Sequence, residues 1–297
     1  MLLGLHTYCF YLHGIGCDWG GFELPWSRQM TMFQLIEEIV RLGLDGIHLQ
    51  DSALESLEPS YLKEVQALAK QHNLYLEYNI SMDFGNLGIG IQHDLKEAIT
   101  TACMLGSDII KVSMDIKRPR PLAASRFHPD VVQQMTSFAE KLKEAAPVAE
   151  EVGVKIAVEN HCDSFSEEIL WLLDLVNHPV IGACVDTGNA LFVMEDPMVA
   201  IENLVPRAFT NHFRDDRIEY QPYGFKLTGA AVGEGDIDMK RAYEIIKTKS
   251  TMNRINIETE MEFPLDDMEN ALKGEKEAVE RSIRYCREVL GITRGES

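Results

Sequence analysis

Little in this 297-residue sequence points toward a membrane, a nucleic acid or an oxidising compartment. The six cysteines, at positions 9, 17, 103, 162, 184 and 286, contain no CxxC pair. Zinc-cluster and thiol-exchange spacings are therefore absent, and because several of these residues lie inside apolar runs, buried free thiols in a reducing compartment are expected rather than a disulfide framework. No apolar segment approaches the roughly 18 residues that span a bilayer. The N-terminal MLLGLHTYCFYLHGIG lacks the positive start and long apolar centre of a secretory signal, so a cytoplasmic location is the default expectation. Basic residues are few: 28 Lys and Arg against 47 Asp and Glu give a net charge of −19, which opposes a phosphate backbone and disfavours nucleic acid as a partner. No GxGxxG opens a helix after the first strand, so a dinucleotide-binding sheet loses its main support. No Pro-, Gly- or Ser-rich linker divides the chain, and residues 1–297 read as one domain.

What is present is a rhythm of short apolar runs and amphipathic segments. Residues 3–10, 46–50, 74–80 and 108–114 read as strands, and 31–42, 59–72, 91–105 and 129–152 as helices, with glycines at 43, 106 and 153 as stops. The stretch VKIAVENHCDSFSEEILWLLDLVNHPVIGACVDTGN then holds two buried-type strands around a helix. A sixth helix (197–204), a seventh strand (207–213), a loop (214–235), a helix (237–247), an eighth strand (254–259) and a last helix (270–290) follow. Eight strand–helix pairs in strict alternation imply a parallel sheet with right-handed crossovers, and eight strands close it into a (β/α)8 barrel of the TIM type. An open doubly wound sheet is the competing α/β architecture.

In such a barrel, ligands gather at the carboxyl ends of the strands. Four consecutive strands carry Glu159, Asp186, His212 and Glu258 near those ends, a set of oxygen and nitrogen donors suited to a divalent metal and foreign to an apolar core. Each has a bland alternative as a cap, turn or exposed residue, and Glu260 is the rival of Glu258, because residues two apart on a strand face the same way. By the same spacing His161 accompanies Glu159 as a proton shuttle or hydroxyl ligand, and Arg214 accompanies His212 as a substrate contact. Lys111 is a charge within an apolar run and needs a partner, either a barrel acid such as Glu77 or the substrate. Lys117, Arg118 and Arg120 form a basic loop that could draw an anion. Trp19, Phe22 and Trp26 read as a wall over a sugar or as an interface in a homo-oligomer.

The segments VENHCD, CVDTGNALFVMEDP, NHFRD, VGEGDID and INIETE resemble the second half of the xylose isomerase-like TIM barrels, the sugar-phosphate isomerase/epimerase superfamily, most strongly over residues 150–262. That resemblance implies a divalent metal, commonly Mn²⁺ and in relatives Mg²⁺, Co²⁺ or Zn²⁺, held by Glu159, Asp186, His212 and Glu258. In the ketose 3-epimerase branch two such glutamates also act as base and acid on a carbon beside a carbonyl, and those roles fall on Glu159 and Glu258. Many ketose epimerases have a histidine three residues after the metal aspartate; Asn189 stands there in this chain and joins Lys111 and Arg214 as an expected substrate contact. The expected activity is a metal-dependent isomerase or epimerase acting on a small carbohydrate. A lyase of the same fold is the alternative, and a non-catalytic binding protein is the reading from a different class. An endonuclease on this fold would need a multi-histidine zinc cluster, which nine dispersed histidines do not suggest.

Overall fold

The computed structural model describes residues 1–16 and 23–293. Its strands are β1 (Leu2–His6), β2 (Gly46–Gln50), β3 (Tyr75–Ser81), β4 (Ile109–Ser113), β5 (Lys155–Glu159), β6 (Ile181–Asp186), β7 (Ala208–Gln221), β8 (Gly224–Ala230) and β9 (Arg254–Glu258). Eight of them form a closed parallel ring: β1 pairs with β2 and β9, and β7 pairs with β6 and β9. The helices are α1 (Met32–Arg41), α2 (Pro59–Gln71), α3 (Leu95–Leu105), α4 (Pro129–Val152), α5 (Ser166–Val176), α6 (Pro197–Leu204), α7 (Met239–Lys249) and α8 (Met268–Glu288).

The pattern that forms this ring is local. Strands β2, β4 and β6 are buried along nearly their whole length, as expected for parallel strands sandwiched between a barrel interior and a coat of helices. Each helix turns its apolar stripe inward; on α1 this is Met32, Leu35, Ile36 and Ile39. Full burial of one such side chain contributes about 1.5–3 kcal/mol. Thr31 and Gln34 close a capping box at the start of α1, while Gly106 and Gly153 end α3 and α4 in the left-handed region at φ 71° and 74°, where a Cβ would be strained.

The structure departs from the sequence reading in three places. The first strand stops at His6, because His6 accepts a hydrogen bond from the Tyr8 backbone N–H and Thr7–His13 winds into 3₁₀ turns. Helix α3 begins at Leu95 instead of residue 91, since Asp94 caps the N–H groups of Lys96 and Glu97. The expected loop after the seventh strand is a β-hairpin: β7 runs 14 residues, and its outer half pairs antiparallel with β8 from Asp215↔Ala230 to Gln221↔Gly224. Its exposed polar and aromatic surface, with Tyr220 and Tyr223 nearly fully accessible, hid the strands from a search for apolar runs.

Cys9, Cys184 and Cys286 are buried free thiols, Cys103 is exposed, and Cys17 lies outside the described residues. Among the described residues no helix is long and apolar enough to cross a membrane.

Candidate metal centre

The ring delivers β5, β6, β7 and β9 side by side, with Glu159, Asp186 and Glu258 as the last residues of their strands and His212 level with Asp186 in the β6–β7 register. Their side chains meet. His212 Nδ1 lies 2.9 Å from Glu159 Oε1, 2.9 Å from Glu258 Oε2 and 3.7 Å from Asp186 Oδ2. Asp186 is aimed by its turn, because the backbone N–H groups of Gly188 and Asn189 each donate to Oδ1 at 2.7 Å, which leaves Oδ2 for the cluster. A Cβ at position 188 would stand 2.1 Å from Asp216 Oδ2, so any side chain there would displace the Asp216 carboxylate.

Three carboxylates buried around one imidazole need positive charge. Burial pushes the Glu159 carboxyl up, but Lys111, His212 and His161 together hold it well below the usual range. Glu258 is lowered likewise, with burial outweighed by His212 and His6. Asp186 is raised, by burial first, with His212 and Arg214 opposing. The same acids hold a proton on His212 against the effect of burial, Glu258 most strongly. Glu159 Oε2, Asp186 Oδ2 and Glu258 Oε2 are all buried; Lys111 meets the first and His212 Nδ1 the third, while Asp186 Oδ2, 3.7 Å from His212 Nδ1, accepts no well-formed hydrogen bond. A buried carboxylate oxygen without a hydrogen bond is costly unless a cation meets it, and three carboxylates with one imidazole suit a hard or borderline divalent ion. Cys184 also lies within reach of Glu159 and His212; burial pushes its thiol up, and a thiol is a softer donor than the oxygen-rich set around it.

A narrow cleft opens beside these residues and is also lined by Lys111, His161, Asn189, Arg214 and Glu260. Lys111 is ion-paired with Glu159 and not with Glu77. The β3–β4 register sets Asn79 opposite Lys111, so Glu77 lies deeper in the barrel, where Arg254 Nη1 meets it at 2.9 Å. His161 Nδ1 lies 2.7 Å from Asp115 Oδ1; Asp115 in turn accepts hydrogen bonds from Ser81 and Ser113. Burial opposes the charged form of His161, but Asp115 and Glu159 push its pKa up to about 9. Asn189 donates from Nδ2 to Glu159 Oε1 at 3.4 Å and accepts from Arg214 Nη1 at 3.2 Å. Arg214 also pairs with Asp216 and, at 2.8 Å, with Glu260. This separates the two candidate glutamates: Glu258 joins His212, and Glu260 joins Arg214.

Sequence reasoning missed His6, His48 and Asp115. The dispersal of histidines along the chain was misleading, since His6, His48 and His212 bring ring nitrogens within 4.8 Å of one another. A polar residue inside the short apolar runs GLHTY and GIHLQ was the available signal for His6 and His48. The basic loop does not present its central residue to a ligand: Arg118 is buried against Glu168 and donates to the carbonyls of Asp163 and Ser125. Trp26 donates to Leu12 O and packs with Tyr8, Tyr11 and Ala271, while Trp19 and Phe22 lie outside the described residues.

Fold and cluster together define a (β/α)8 barrel with an acid–imidazole site at the carboxyl ends of its strands. Residues 36–289 match the family model of the xylose isomerase-like TIM barrel, and the chain belongs to that family. It is 22% identical over 250 residues, 83% of this chain and 81% of the other, to a 3-oxo-isoapionate decarboxylase from Pectobacterium atrosepticum. It is 24% identical over 165 residues to an inosose dehydratase from Clostridium tetani, a match that spans 50% of this chain and 55% of that one. Among solved structures, D-psicose 3-epimerase with D-tagatose from Clostridium cellulolyticum H10 superposes at a TM-score of 0.68 with 16% identity, over 98% of this chain and 99% of that one. A xylose isomerase-like TIM barrel protein from Mycobacterium smegmatis in complex with magnesium does so at 0.66 with 14% identity, over 94% and 97%.

Proposed function

We propose that this protein is a divalent-metal-dependent enzyme that acts on a sugar or sugar derivative by moving a proton at the carbon next to a carbonyl, with isomerisation or epimerisation as the outcome. The observation that carries the reading is the approach of Glu159 and Glu258 to the same imidazole nitrogen, 2.9 Å each, from strands on either side of His212. Glu159, Asp186, His212 and Glu258 would hold the ion, Mn²⁺ in the first instance and Mg²⁺, Co²⁺ or Zn²⁺ as alternatives. A cation held there supplies Lewis-acid polarisation of the substrate carbonyl, which makes the neighbouring C–H acidic.

The chain's own residues supply the rest. Glu159 and Glu258 both have their carboxyls held below the usual range, so both are anionic at neutral pH and either can accept the proton. Lys111, through its ion pair with Glu159, keeps that carboxylate anionic before reaction. Asn189 and Arg214, linked to each other and placed along the cleft, are the proposed contacts for substrate oxygens, with His161 as a donor or proton shuttle beside Glu159.

One observation favours a second outcome. His161 keeps its proton to about pH 9, so an acid stands beside the proposed base, and protonation of a leaving oxygen would turn proton abstraction into elimination. The decarboxylase and dehydratase among the relatives are lyases by name, which fits this branch. Metal analysis of the purified protein, followed by a screen of ketoses, inososes and 3-keto-glycosides in D₂O, tests both. Deuterium at a substrate carbon without net loss of mass supports the epimerase, and an unsaturated or shortened product supports the lyase. Failure to bind any divalent ion overturns both.

A further inference from the structure

Below the acid cluster, the barrel interior holds a second ionisable pair that the proposed chemistry does not use. His48 on β2 and Glu77 on β3 are register partners and are fully buried. His48 Nδ1 lies 3.1 Å from Glu77 Oε2, and His48 Nε2 lies 3.2 Å from His212 Nε2, with the two imidazole rings nearly perpendicular at 83°. We infer that Glu77 and His48 are positioning residues for the metal centre, holding a hydrogen on Nε2 of His212 so that Nδ1 is the nitrogen left to give up its own hydrogen and offer a lone pair to a cation. The inference rests on the metal-site reading above and goes further, because it assigns a role to two residues that touch neither the proposed ion nor the substrate.

The hydrogen-bond logic runs outward from Glu77. Arg254 Nη1 reaches its Oε1 at 2.9 Å, and Thr210 Oγ1 and Asn256 Nδ2 donate to its Oε2 at 2.5 and 2.9 Å. A carboxyl surrounded by a guanidinium and further donors is ionised and offers only lone pairs. His48 Nδ1 must therefore carry a hydrogen and donate it. A neutral imidazole protonated on Nδ1 has a lone pair on Nε2, and two ring nitrogens 3.2 Å apart can bond only when one of them carries the hydrogen. That hydrogen belongs to His212 Nε2. The remaining nitrogen, His212 Nδ1, is the one that faces Glu159, Glu258 and Asp186. An imidazole whose distal N–H is held by an acceptor is the usual arrangement for a metal-binding histidine, and loss of that support typically weakens metal affinity 10–100-fold. His6 cannot substitute for His48, because its Nδ1 already accepts the Tyr8 backbone N–H and its Nε2 meets Asn79.

The test compares Mn²⁺ binding by calorimetry in the full-length wild type, His48→Phe and His48→Gln, with thermal melts of the metal-free proteins alongside. His48→Phe keeps the ring volume but removes the acceptor, and it should bind Mn²⁺ about 10–100-fold more weakly. His48→Gln offers a side-chain carbonyl to the same N–H and should recover most of that loss, which a merely structural role for position 48 does not predict. Imidazole ¹⁵N spectra of the Mg²⁺-loaded wild type should place the hydrogens on His48 Nδ1 and His212 Nε2. Equal affinity of a folded His48→Phe, or a hydrogen on His48 Nε2 in the loaded protein, overturns the inference and leaves the metal site standing. If His48→Phe does not fold, the nitrogen spectra decide alone; if the wild type binds no ion, the metal reading fails first and this inference with it.

Discussion

The two halves of the barrel divide the work differently. Strands β5 to β9 supply Glu159, Asp186, His212 and Glu258, the side chains that converge on one point. Strands β1 to β4 supply Lys111, His48 and Glu77, and the loop after β4 supplies Asp115; their contacts run to members of that cluster, to its neighbours or to each other. The three acids end their strands, whereas Lys111, His48 and Glu77 sit within theirs, and His48 and Glu77 lie deeper, fully buried in the barrel interior. A site of this kind needs both: donors aimed at a ligand, and a polar interior that fixes their charge and orientation before the ligand arrives.

The largest effects should come from the donor half. Glu159→Gln and Glu258→Gln should each lower kcat/KM by about 10²–10⁴-fold on whichever carbonyl substrate the screen identifies, and Asp186→Asn should abolish Mn²⁺ binding measured by calorimetry. Retention of both properties by any one of these variants would remove that residue from the site. On the supporting half, Lys111→Met strands the Glu159 carboxylate in the interior. Removing one member of a buried ion pair costs roughly 3–5 kcal/mol, so urea denaturation of the metal-free variant should show a loss of that order. Added Mn²⁺ should restore much of it, because a ligand bound only to the folded state stabilises it. A metal-insensitive loss would make Lys111 a packing residue.

This division also explains what the sequence made legible. The barrel followed from alternation, and Glu159, Asp186, His212 and Glu258 could be picked out from their place at or near the ends of apolar runs, where a polar residue stands out, although β7 continues past His212 to Gln221. The supporting residues gave a weaker signal. Lys111 was visible as a charge in an apolar run, but its partner depends on which residues share a layer of the barrel interior, and that is set by inter-strand register; Asn79, not Glu77, lies opposite Lys111. His6 and His48 are single polar residues on short strands, and their meeting with His212 requires the ring to be closed. The β7–β8 hairpin escaped notice because neither strand of its outer half is buried by the core.

The basic loop after β4 sharpens the contrast between support and recognition. Arg118 could have been an anion anchor, yet its guanidinium is spent on Glu168, Asp163 O and Ser125 O. Arg118→Met should therefore cost roughly 3 kcal/mol in urea denaturation while leaving Mn²⁺ affinity and KM unchanged. A raised KM with unaltered stability would return the loop to the substrate-binding surface.

The smallest effect expected is a pH dependence that crosses from one half to the other. Asp115 follows β4 and His161 follows β5, and their 2.7 Å pair lifts the His161 pKa to about 9, against burial and with help from Glu159. A histidine of the unfolded chain titrates near 6.5. Because the folded value is the higher one, the pair's stabilisation is complete below about pH 6.5 and is lost as pH rises through about 9. For the metal-free protein the contribution is no more than about 3 kcal/mol by linkage. Urea denaturation between those limits should show stability falling with pH, and Asp115→Asn should flatten the slope by removing the charge that holds the proton. Should the slope survive that substitution, His161 owes its proton to Glu159 instead, and the two halves of the barrel are joined at that point by the donor cluster alone.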